Sequence, residues 1–444
     1  MTGAAPGPLP ELPIRVRRAR PGDTRAVLDF TRATWDGWDY VPSVWRDWLE
    51  APDGVLLVAV PNAPHQLDLF GRALTGDRPV GIARIAMLSP DEAWLEGLRV
   101  DPGVRTRGVA RLLHGACLVW ARAQGATSVR YATGQENEGS HRLGARHGFR
   151  LLRPWRSYQA PRDPHADDED EEAHLEAADE DVFADLADDP GGQVPEDVAA
   201  RATHPAADTT LGEEERDGWS GGGGELDETA WGEEDDDAAR AGSLSPTAAR
   251  RRLHRAGLTL DPHAGAGVVG DWWQRLLADE TFLAGERLYE FRSWAFRELD
   301  EGRFAAHVRA GEVAVGVAGR APAAGDTGNL PWGLAILPLG GPRFGGDRPW
   351  AALVAGDGDE VLRLATGIRD GLRTAIRLRV PDGAPVVAGH EPAFIAAGFP
   401  PADETLHLLA RHLAADDPID VGAPGSVTFE EEPARVASAP DDPR

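Results

Sequence analysis

Two regions of this chain alternate between strand-like and helix-like patterns, and an acidic stretch separates them. From Ile14 to about Tyr158, short apolar runs typical of strands alternate with runs that have apolar residues at helical spacing. The same alternation returns from about Pro246 to Leu413. The stretch between them has too few apolar residues to offset the entropy that ordering it would cost. The pattern predicts two folded regions of mixed α/β structure joined by a disordered linker.

Domain boundaries follow from these shifts in composition. We predict an N-terminal domain over residues 12–159, an acidic disordered linker over 160–245, a C-terminal domain over 246–415 and a disordered tail over 416–444. At 444 residues, the chain is long enough for each domain to have its own core.

The N-terminal region is predicted to have the element order βααβββαβαβ. Its strands are IRVRRAR, VLLVAV, VGIARIAML, AWLEGLRV, SVRYAT and FRLLRPW, and its helices begin at Thr24, Val44, Val109 and Ser140. Asp23 and Ser43 are the predicted N-caps of the first two helices, and Gly125 is placed to end the third.

The C-terminal region has a similar order. The predicted helices are DWWQRLLAD, YEFRSWAFRELDEG, EVLRLATGIRDGL and PAFIAAG, and the predicted strands are RFAAHVRA, EVAVGVAG, GLAILPL, WAALVAG and AIRLRVP. The segment TLHLLARHL follows as the last element.

Charge and composition exclude several classes of protein. Residues 163–237 hold 29 acidic residues and two arginines, a net −27 that equals the charge of the whole chain. The predicted domains are therefore neutral and lack the basic stripe of a nucleic-acid binder. No apolar run reaches the roughly 18 residues of a membrane span.

The single cysteine, Cys117, is predicted to be a small buried residue in a reducing compartment, so we expect a cytoplasmic protein. None of the 13 histidines has a metal-site spacing, and no metal is predicted.

The segment RTRGVA, residues 105–110, lies between a predicted strand and the start of an amphipathic helix. Amide groups in the first turn of a helix have no partners within the helix, and with the helix dipole they form a site for anions. Glycine or alanine at the fourth and sixth positions allows a close approach to the backbone, and arginine adds positive charge. The turn is suited to a pyrophosphate.

Three motifs occur in an order that resembles a known family. The strand LEGLRVDP, the RTRGVA turn and the later NEGSHRLGARHGF are similar to the signature of the GNAT superfamily of acyl-CoA N-acyltransferases, from Ile14 to about Trp155. GWDYVPSVWRDWL and LEGLRVDPGVRTRGVA further resemble histidine N-acetyltransferase-like proteins. The resemblance implies a mixed central sheet flanked by helices and acetyl transfer from acetyl-CoA to an amine.

The resemblance also implies roles for individual residues. Backbone groups of Leu98, Arg99 and Val100 would bind the pantetheine arm of acetyl-CoA, and Asn137 and Ser140 would lie near it. The residues expected to surround the pyrophosphate are Arg105, Thr106, Arg107, Gly108, Val109 and Ala110.

Glu96 is the predicted catalytic residue. It matches a strand carboxylate that in many relatives acts as the general base, directly or through water. Alternation places Glu96 on the same face as Leu98 and Val100, where a half-buried carboxylate is suited to take a proton from an ammonium group. The alternatives are a charged residue at a sheet bulge, or one that only binds a cationic substrate.

One position departs from the family pattern. Gly144 stands where many relatives have a tyrosine that serves as general acid toward the leaving thiolate. His141 and His147 lie nearby, but a histidine on a short amphipathic helix is usually structural or exposed. No general acid is assigned.

An aromatic cluster lies where the resemblance places the substrate-side helices and loop. Trp35, Trp38, Tyr40 and Trp45 are interleaved with acidic residues, and such rings can surround a cation. Core packing of two helices is the alternative. Trp38 and Tyr40, in the predicted loop, are the candidate substrate residues.

The C-terminal region is interpreted as a degenerate second GNAT-like copy, because FIAAGFPP is similar to RHGFRLL. In place of the RTRGVA turn it has GDGDEV, where Asp357, Asp359 and Glu360 would repel a pyrophosphate. We predict that it does not bind coenzyme A, and that it either closes the substrate side of the first domain or only supports it.

The favoured hypothesis is an acetyl-CoA-dependent N-acetyltransferase acting on a small amine, for example an amino acid such as histidine. The alternative is a non-catalytic acetyl-CoA-binding or scaffold protein. The acidic linker is either a solvating spacer or a surface that attracts basic partners.

Overall fold

The structure is a computed structural model that describes residues 12–32, 34, 39–62, 66–74, 76–105, 107–160, 246–258, 260–292, 294–317, 330–339, 350–373 and 375–422. The predicted linker from residue 161 onward, the tail beyond residue 422 and the predicted site residues Trp38 and Thr106 lie outside these described residues. Below, the N-terminal half is residues 12–160 and the C-terminal half is residues 246–422.

The N-terminal half has the predicted element order with one added hairpin, β3–β4. Its strands are β1 Ile14–Arg18, β2 Gly54–Pro61, β3 Gln66–Leu67, β4 Ala73–Leu74, β5 Gly81–Met87, β6 Glu92–Val100, β7 Ser128–Gly134 and β8 Arg150–Ala160. Its helices are α1 Thr24–Thr31, α2 Val41–Glu50, α3 Val109–Gln124 and α4 Glu138–Arg146.

The predicted helix ends in this half are partly correct. Gly125 ends α3 in a left-handed conformation with φ 103°, as predicted. Asp23 precedes α1, but its carboxylate binds the guanidinium of Arg17 at 2.8 Å and does not cap the helix. Ser43 lies inside α2, where its hydroxyl donates to the carbonyl of Tyr40 at 2.7 Å.

The C-terminal half has strands β9 Leu288–Arg292, β10 Ala295–Glu298, β11 Val313–Val317, β12 Trp332–Ile336, β13 Trp350–Ala351, β14 Leu353–Gly356, β15 Ile376–Pro381 and β16 Pro401–His412. Its helices are α5 Pro246–Arg255, α6 Ala266–Ala278, α7 Glu280–Ala284, α8 Glu301–Arg309, α9 Gly358–Leu372 and α10 Glu391–Ala396.

Two element predictions in this half are wrong. YEFRSWAFRELDEG contains the hairpin β9–β10 and not a helix, because its aromatic residues pack on a sheet that the local sequence does not show. Phe296 contacts Trp94 and Trp155 of the N-terminal half, with ring centroids 6.3 and 4.9 Å apart. RFAAHVRA belongs to α8 and not to a strand. The start of α8 has a readable signal, since the carboxylate of Asp300 accepts from the amide of Arg303 at 2.8 Å.

One nine-stranded sheet runs through both halves in the order β1-β2-β5-β6-β7-β16-β8-β15-β13. Strand β16, from the C-terminal half, lies between β7 and β8 and pairs antiparallel with both. Strand β8, from the N-terminal half, pairs antiparallel with β15. Each half therefore inserts its last strand between strands of the other, and the described residues on both sides of the linker form one compact unit. The predicted mixed α/β fold, with a central mixed sheet flanked by helices, is confirmed.

Different elements cover the two faces of the sheet. Helix α3 packs on one face, where Leu113 and Ala116 join Ala93 and Leu95 of β6 in one apolar core. Cys117 is fully buried in this core, as predicted, and burial raises the pKa of its thiol. Helices α1 and α2 cover the opposite face over β2 and β5, and the hairpin β9–β10 covers it next to β6 and β8.

Candidate active site

Strands β6 and β7 pair along only part of their length. A parallel ladder joins residues 92–94 of β6 to residues 128–130 of β7. Beyond these residues β6 pairs with β5, and β7 pairs with β16. The two strands therefore diverge toward their carboxyl ends and leave an opening, called the wedge below. Since α3 follows β6 and α4 follows β7, both helices begin at the rim of the wedge.

The first turn of α3 has amide groups without a cap. Gly108 is the N-cap residue, in a left-handed conformation with φ 85°, and no side chain caps the helix. Among the described residues, the amides of Val109 and Ala110 donate to no backbone carbonyl, and the first bond inside the helix runs from Leu112 to Gly108 at 3.1 Å. Such a helix start is suited to an anion, and binding of a pyrophosphate at the RTRGVA turn stays a prediction.

The corresponding helix of the C-terminal half starts differently. Asp357 caps α9, accepting at 3.1 Å from the amide of Asp359 through its own carboxylate. Glu360 is buried in the next position and pairs with Arg363. Negative side chains thus occupy the first turn of α9, which is consistent with the prediction that this half does not bind coenzyme A.

The two arginines of the predicted turn have different surroundings. Arg105 is exposed to solvent next to the start of α3. The guanidinium of Arg107 donates to the carbonyl of Leu67 at 3.0 Å, which ties the turn to the β3–β4 hairpin. The carbonyl of Arg107 accepts from the amide of Leu12 at 3.1 Å, so the backbone of this turn is also fixed.

A β-bulge at Gly97 changes which side chains of β6 share a face. Arg84 of β5 is opposite Glu96 of β6, and Ile82 of β5 is opposite Arg99 of β6. One residue lies between these two positions on β5 and two lie between them on β6, so β6 has one extra residue. Gly97 supplies the left-handed conformation of the bulge with φ 66°. Leu98 and Val100 pack against the core under α3, while Glu96 lies on the other face. The prediction that alternation places Glu96 on the face of Leu98 and Val100 is wrong, because the bulge shifts the alternation by one residue.

The carboxylate of Glu96 is bound by two arginines. Arg84, on β5, donates to Oε1 and also binds Asp53 at 2.5 Å. Nη2 of Arg292, on β9 of the C-terminal half, lies 3.0 Å from each carboxylate oxygen. The Glu96 side chain is 13% exposed, so it is mostly buried, in line with the sequence prediction. Neither arginine was predicted: Arg84 is visible as a lone polar residue in an apolar strand, but Arg292 has no local signal.

Tyr40 lies beside the bulge. Its ring contacts Trp48 edge-on at 5.9 Å, and the guanidinium of Arg99 lies 5.3 Å from its centroid. Tyr40 as a whole is 39% exposed, but its hydroxyl is removed from water, which raises its pKa against the opposing charge of Arg99. The hydroxyl is hydrogen-bonded to the backbone of Gly97. Arg99 itself is held by both oxygens of Asp39, at 2.8 and 3.0 Å. The structure thus brings the predicted substrate residue Tyr40 close to the face of β6 that holds Glu96.

Trp45, from the same aromatic cluster, is a core residue. It is 3% exposed, and its indole nitrogen donates to the hydroxyl of Thr24 at 2.9 Å, which joins α2 to α1. The core-packing interpretation is correct for this tryptophan.

The rim of the wedge on the α4 side is formed by Asn137 and Ser140. The Asn137 side chain caps α4 by accepting from the amide of Ser140 at 3.1 Å. A β-carbon at Gly144 would collide with the hydroxyl of Tyr131, so the position where relatives have a tyrosine has no room for a side chain. Tyr131 donates to the carbonyl of Ser140 at 3.0 Å, and burial raises its pKa to about 12.

The two histidines next to Gly144 in sequence, His141 and His147, pack against other histidine rings. His147 is buried and stacks on His114, with ring centroids 4.5 Å apart. His141 contacts His407 of β16 edge-on at 5.0 Å. These contacts agree with the structural interpretation of both.

The C-terminal half also contacts the start of β6, in the part of the strand that pairs with β7. The amide of Glu298 and the guanidinium of Arg303 donate to the two carboxylate oxygens of Glu92, at 3.2 and 3.1 Å. Together with Arg292, these residues place the β9–β10 hairpin and the start of α8 over the Glu96 face of β6.

The described residues contain no cluster of three or more side chains suited to a metal ion. Within the same ranges, none of the helices combines the length and apolar character needed to cross a bilayer.

A family model matches the part of the chain that forms the wedge. It is the model of the acetyltransferase (GNAT) family, and it matches residues 29–149. No curated protein matches the chain. Arabidopsis thaliana NAA60, solved with a bisubstrate analogue, is 18% identical with a TM-score of 0.27, over 32% of this chain and 87% of that one. The same protein solved with acetyl-CoA is 18% identical with a TM-score of 0.27, over 32% of this chain and 86% of that one. A GNAT-family acetyltransferase from Staphylococcus aureus Mu50 is 16% identical with a TM-score of 0.26, over 31% of this chain and 85% of that one.

These structural likenesses have TM-scores below 0.3 and carry no argument of their own. The likeness to histidine N-acetyltransferase-like proteins, which comes from the sequence, stays a prediction. Residues 29–149, which contain α2, strands β2 to β7 and both helices at the rim of the wedge, are similar to the acetyltransferase (GNAT) family.

Proposed function

We propose that this protein is an acetyl-CoA-dependent N-acetyltransferase that acts on the amine of a small molecule. The observation that carries the proposal is the wedge between β6 and β7, which opens beside the uncapped first turn of α3. A diphosphate can bind the amides of that turn while an extended thiol arm enters between the two strands.

The residues of the wedge fit acetyl-CoA, which supplies the acetyl thioester. The amides of Val109 and Ala110, which donate to no backbone carbonyl of the described residues, can bind a pyrophosphate, and Arg105 adds charge at the surface. Beyond residue 94, the described ladder partner of β6 is β5 on one edge, so backbone groups on its other edge, near Leu98, can bind the amides of a pantetheine arm. Asn137 and Ser140 line the opposite rim.

Glu96 is the proposed base. A carboxylate has about four lone-pair positions, and the two arginines occupy three of them, so Oε2 keeps one position for a proton from the amine or from an intervening water. Glu96 takes one proton from the ammonium group, and the free amine nitrogen then forms a bond to the acetyl carbon. The carbon–sulfur bond breaks with its electron pair on sulfur, and the second proton lost by nitrogen passes to the thiolate. No side chain is assigned as general acid, since a thiolate is a good leaving group.

The proposed acceptor is a small amine, and an amino acid such as histidine is included among the candidates because of the sequence resemblance. Tyr40, which is 39% exposed beside the bulge, is the proposed contact for the acceptor, together with Trp38. The aromatic face and the adjacent carboxylate of Glu96 are suited to an amine that arrives as a cation.

Coenzyme A binding tests the anion site. Ala110→Asp places a negative charge in the first turn of α3, where it stabilises the helix but repels a pyrophosphate. We expect calorimetry on the full chain to show affinity for coenzyme A reduced by about 10-fold or more, with an unchanged melting temperature. Ala110→Ser is the matched control, because it adds a side chain of similar size without charge. Equal affinity of the wild type and the Asp variant would overturn the site.

A panel of amines with acetyl-CoA tests catalysis. We expect turnover by the wild type and a loss of roughly 100- to 1,000-fold in kcat for Glu96→Gln, with coenzyme A binding retained. Binding of coenzyme A without transfer to any amine by the wild type would support the alternative of a non-catalytic acetyl-CoA-binding protein.

A further inference from the structure

Arg292 belongs to the C-terminal half but lies in the site of the N-terminal half. Its side chain is 10% exposed, and its Nη2 atom is equidistant from both oxygens of Glu96 at 3.0 Å. It lies on β9, more than 190 residues from Glu96 in sequence. The contact is therefore made only when the two halves share the sheet.

The charges that face Glu96 come from several elements. Arg84 approaches from β5 and is itself bound to Asp53, in the turn before β2. Arg292 approaches from β9. Tyr40 and Arg99, which is paired with Asp39, lie on the side of the bulge. Among the described residues, Arg292 is the arginine of the C-terminal half that reaches the Glu96 carboxylate.

The hairpin around Arg292 is fixed by buried contacts in its own half. Glu290 is fully buried, and its Oε1 accepts from the amide of Trp294 at 2.7 Å and from Arg377 at 3.1 Å. The indole nitrogen of Trp350 donates to the carbonyl of Glu290 at 2.8 Å. Trp294 is held with φ 61°, a conformation that costs energy in a residue other than glycine. The backbone that places Arg292 is thus set by contacts independent of Glu96.

We propose that Arg292 is a positioning residue for Glu96, supplied to the active site by the C-terminal half. It holds the carboxylate in the orientation that leaves one lone pair of Oε2 open, and it balances the charge of a carboxylate that is mostly removed from water. The inference rests on the proposed function, in which Glu96 takes the proton of the amine. It gives the C-terminal half a specific task in the reaction besides covering the sheet.

Kinetics of full-length variants test this role. For Arg292→Gln we expect kcat to fall by roughly 10- to 100-fold with little change in KM for acetyl-CoA. Arg292→Lys keeps a positively charged donor in reach of the carboxylate and should restore kcat to within roughly 5-fold of the wild-type value. A merely structural role would change KM and the melting temperature together with kcat, and the lysine would not restore kcat.

Arg297→Gln is the matched control. Arg297 lies on β10 of the same hairpin, but it donates to the hydroxyl of Tyr289 at 2.7 Å and not to Glu96. We expect its loss to leave kcat and KM close to the wild-type values. Melting temperatures of all variants separate loss of fold from loss of position.

A double variant distinguishes the possible failures. If Arg292 acts through Glu96, then Arg292→Gln should reduce kcat by less than about 3-fold in a Glu96→Gln background. An additive loss in the double variant, or an unchanged kcat in Arg292→Gln, would overturn this inference while the proposed function stands. A wild type that acetylates no amine, or a fully active Glu96→Gln, would overturn the proposed function or its base and this inference with it.

Discussion

The indole ring of Trp48 lies directly against the α-carbon of Gly97, so that a β-carbon at position 97 would be 2.5 Å from Cζ3 of the ring and 2.6 Å from Cη2. Gly97 also has φ 66°. Glycine is therefore needed here both for the backbone conformation and for space. The pair joins α2 to the bulge in β6 that separates the face of Glu96 from the face of Leu98.

We predict that Gly97→Ala destabilises the protein by roughly 2–4 kcal/mol, because it adds a clash with Trp48 to the cost of a left-handed alanine. Acetyl transfer should fall as well, since the bulge sets the position of Glu96. Urea unfolding and steady-state kinetics measure the two effects.

Gly71→Ala is the matched control for this prediction. Gly71 has φ 77° in the β3–β4 hairpin, with nothing within 4 Å of an added β-carbon. Its replacement should cost only the conformational part, about 1–2 kcal/mol. Equal losses in the two variants would show that the packing of Trp48 has no part in the effect.

The exchange of strands between the halves predicts that neither half is stable alone. In a fragment of residues 1–162, the edge of β7 that pairs with β16 and both edges of β8 lose their partners. We expect this fragment to aggregate or self-associate, and co-expression with residues 244–444 to give a soluble complex of one copy of each. Size-exclusion chromatography with light scattering measures the outcome. A folded, monomeric fragment 1–162 that binds coenzyme A would contradict the predicted dependence.

The stacked pair His114 and His147 predicts loss of stability in mild acid. Burial lowers the pKa of His147 to about 4, against the opposing charge of Asp420, and lowers the pKa of His114 well below its usual range. The unfolded chain binds protons at these rings near pH 6.5, whereas the folded protein does not until much lower pH. Stability that is present above pH 6.5 is therefore lost as the pH falls toward 4.

His147→Phe should flatten this dependence by up to about 1.4 kcal/mol per pH unit between pH 6.5 and 4. The free energy of unfolding in urea, measured at several pH values, gives the slope. His412→Phe, at an exposed position, is the control and should keep the wild-type slope. An unchanged slope in His147→Phe would mean that the ring takes up its proton without unfolding.

Local signals were sufficient for the elements of the N-terminal half. The order of its strands and helices, the end of α3 at Gly125 and the anion-binding start of α3 all depend on residues within one or two turns of each other. The same is true of the motifs that relate residues 29–149 to a family. The β9–β10 hairpin was not predictable in this way, because Phe296 packs on Trp94 and Trp155, which are distant in the chain.

The sequence by itself determined which segments form strands and helices in most of the described residues, and it identified the turn proposed to bind a pyrophosphate and the carboxylate proposed as the base. Tertiary structure alone decided the face on which Glu96 lies, its two arginine partners and the insertion of β16 between β7 and β8. The physical reason is range: backbone periods, caps and turns act over a few residues, whereas a bulge is defined by its partner strand, and a sheet can pair strands from any part of the chain.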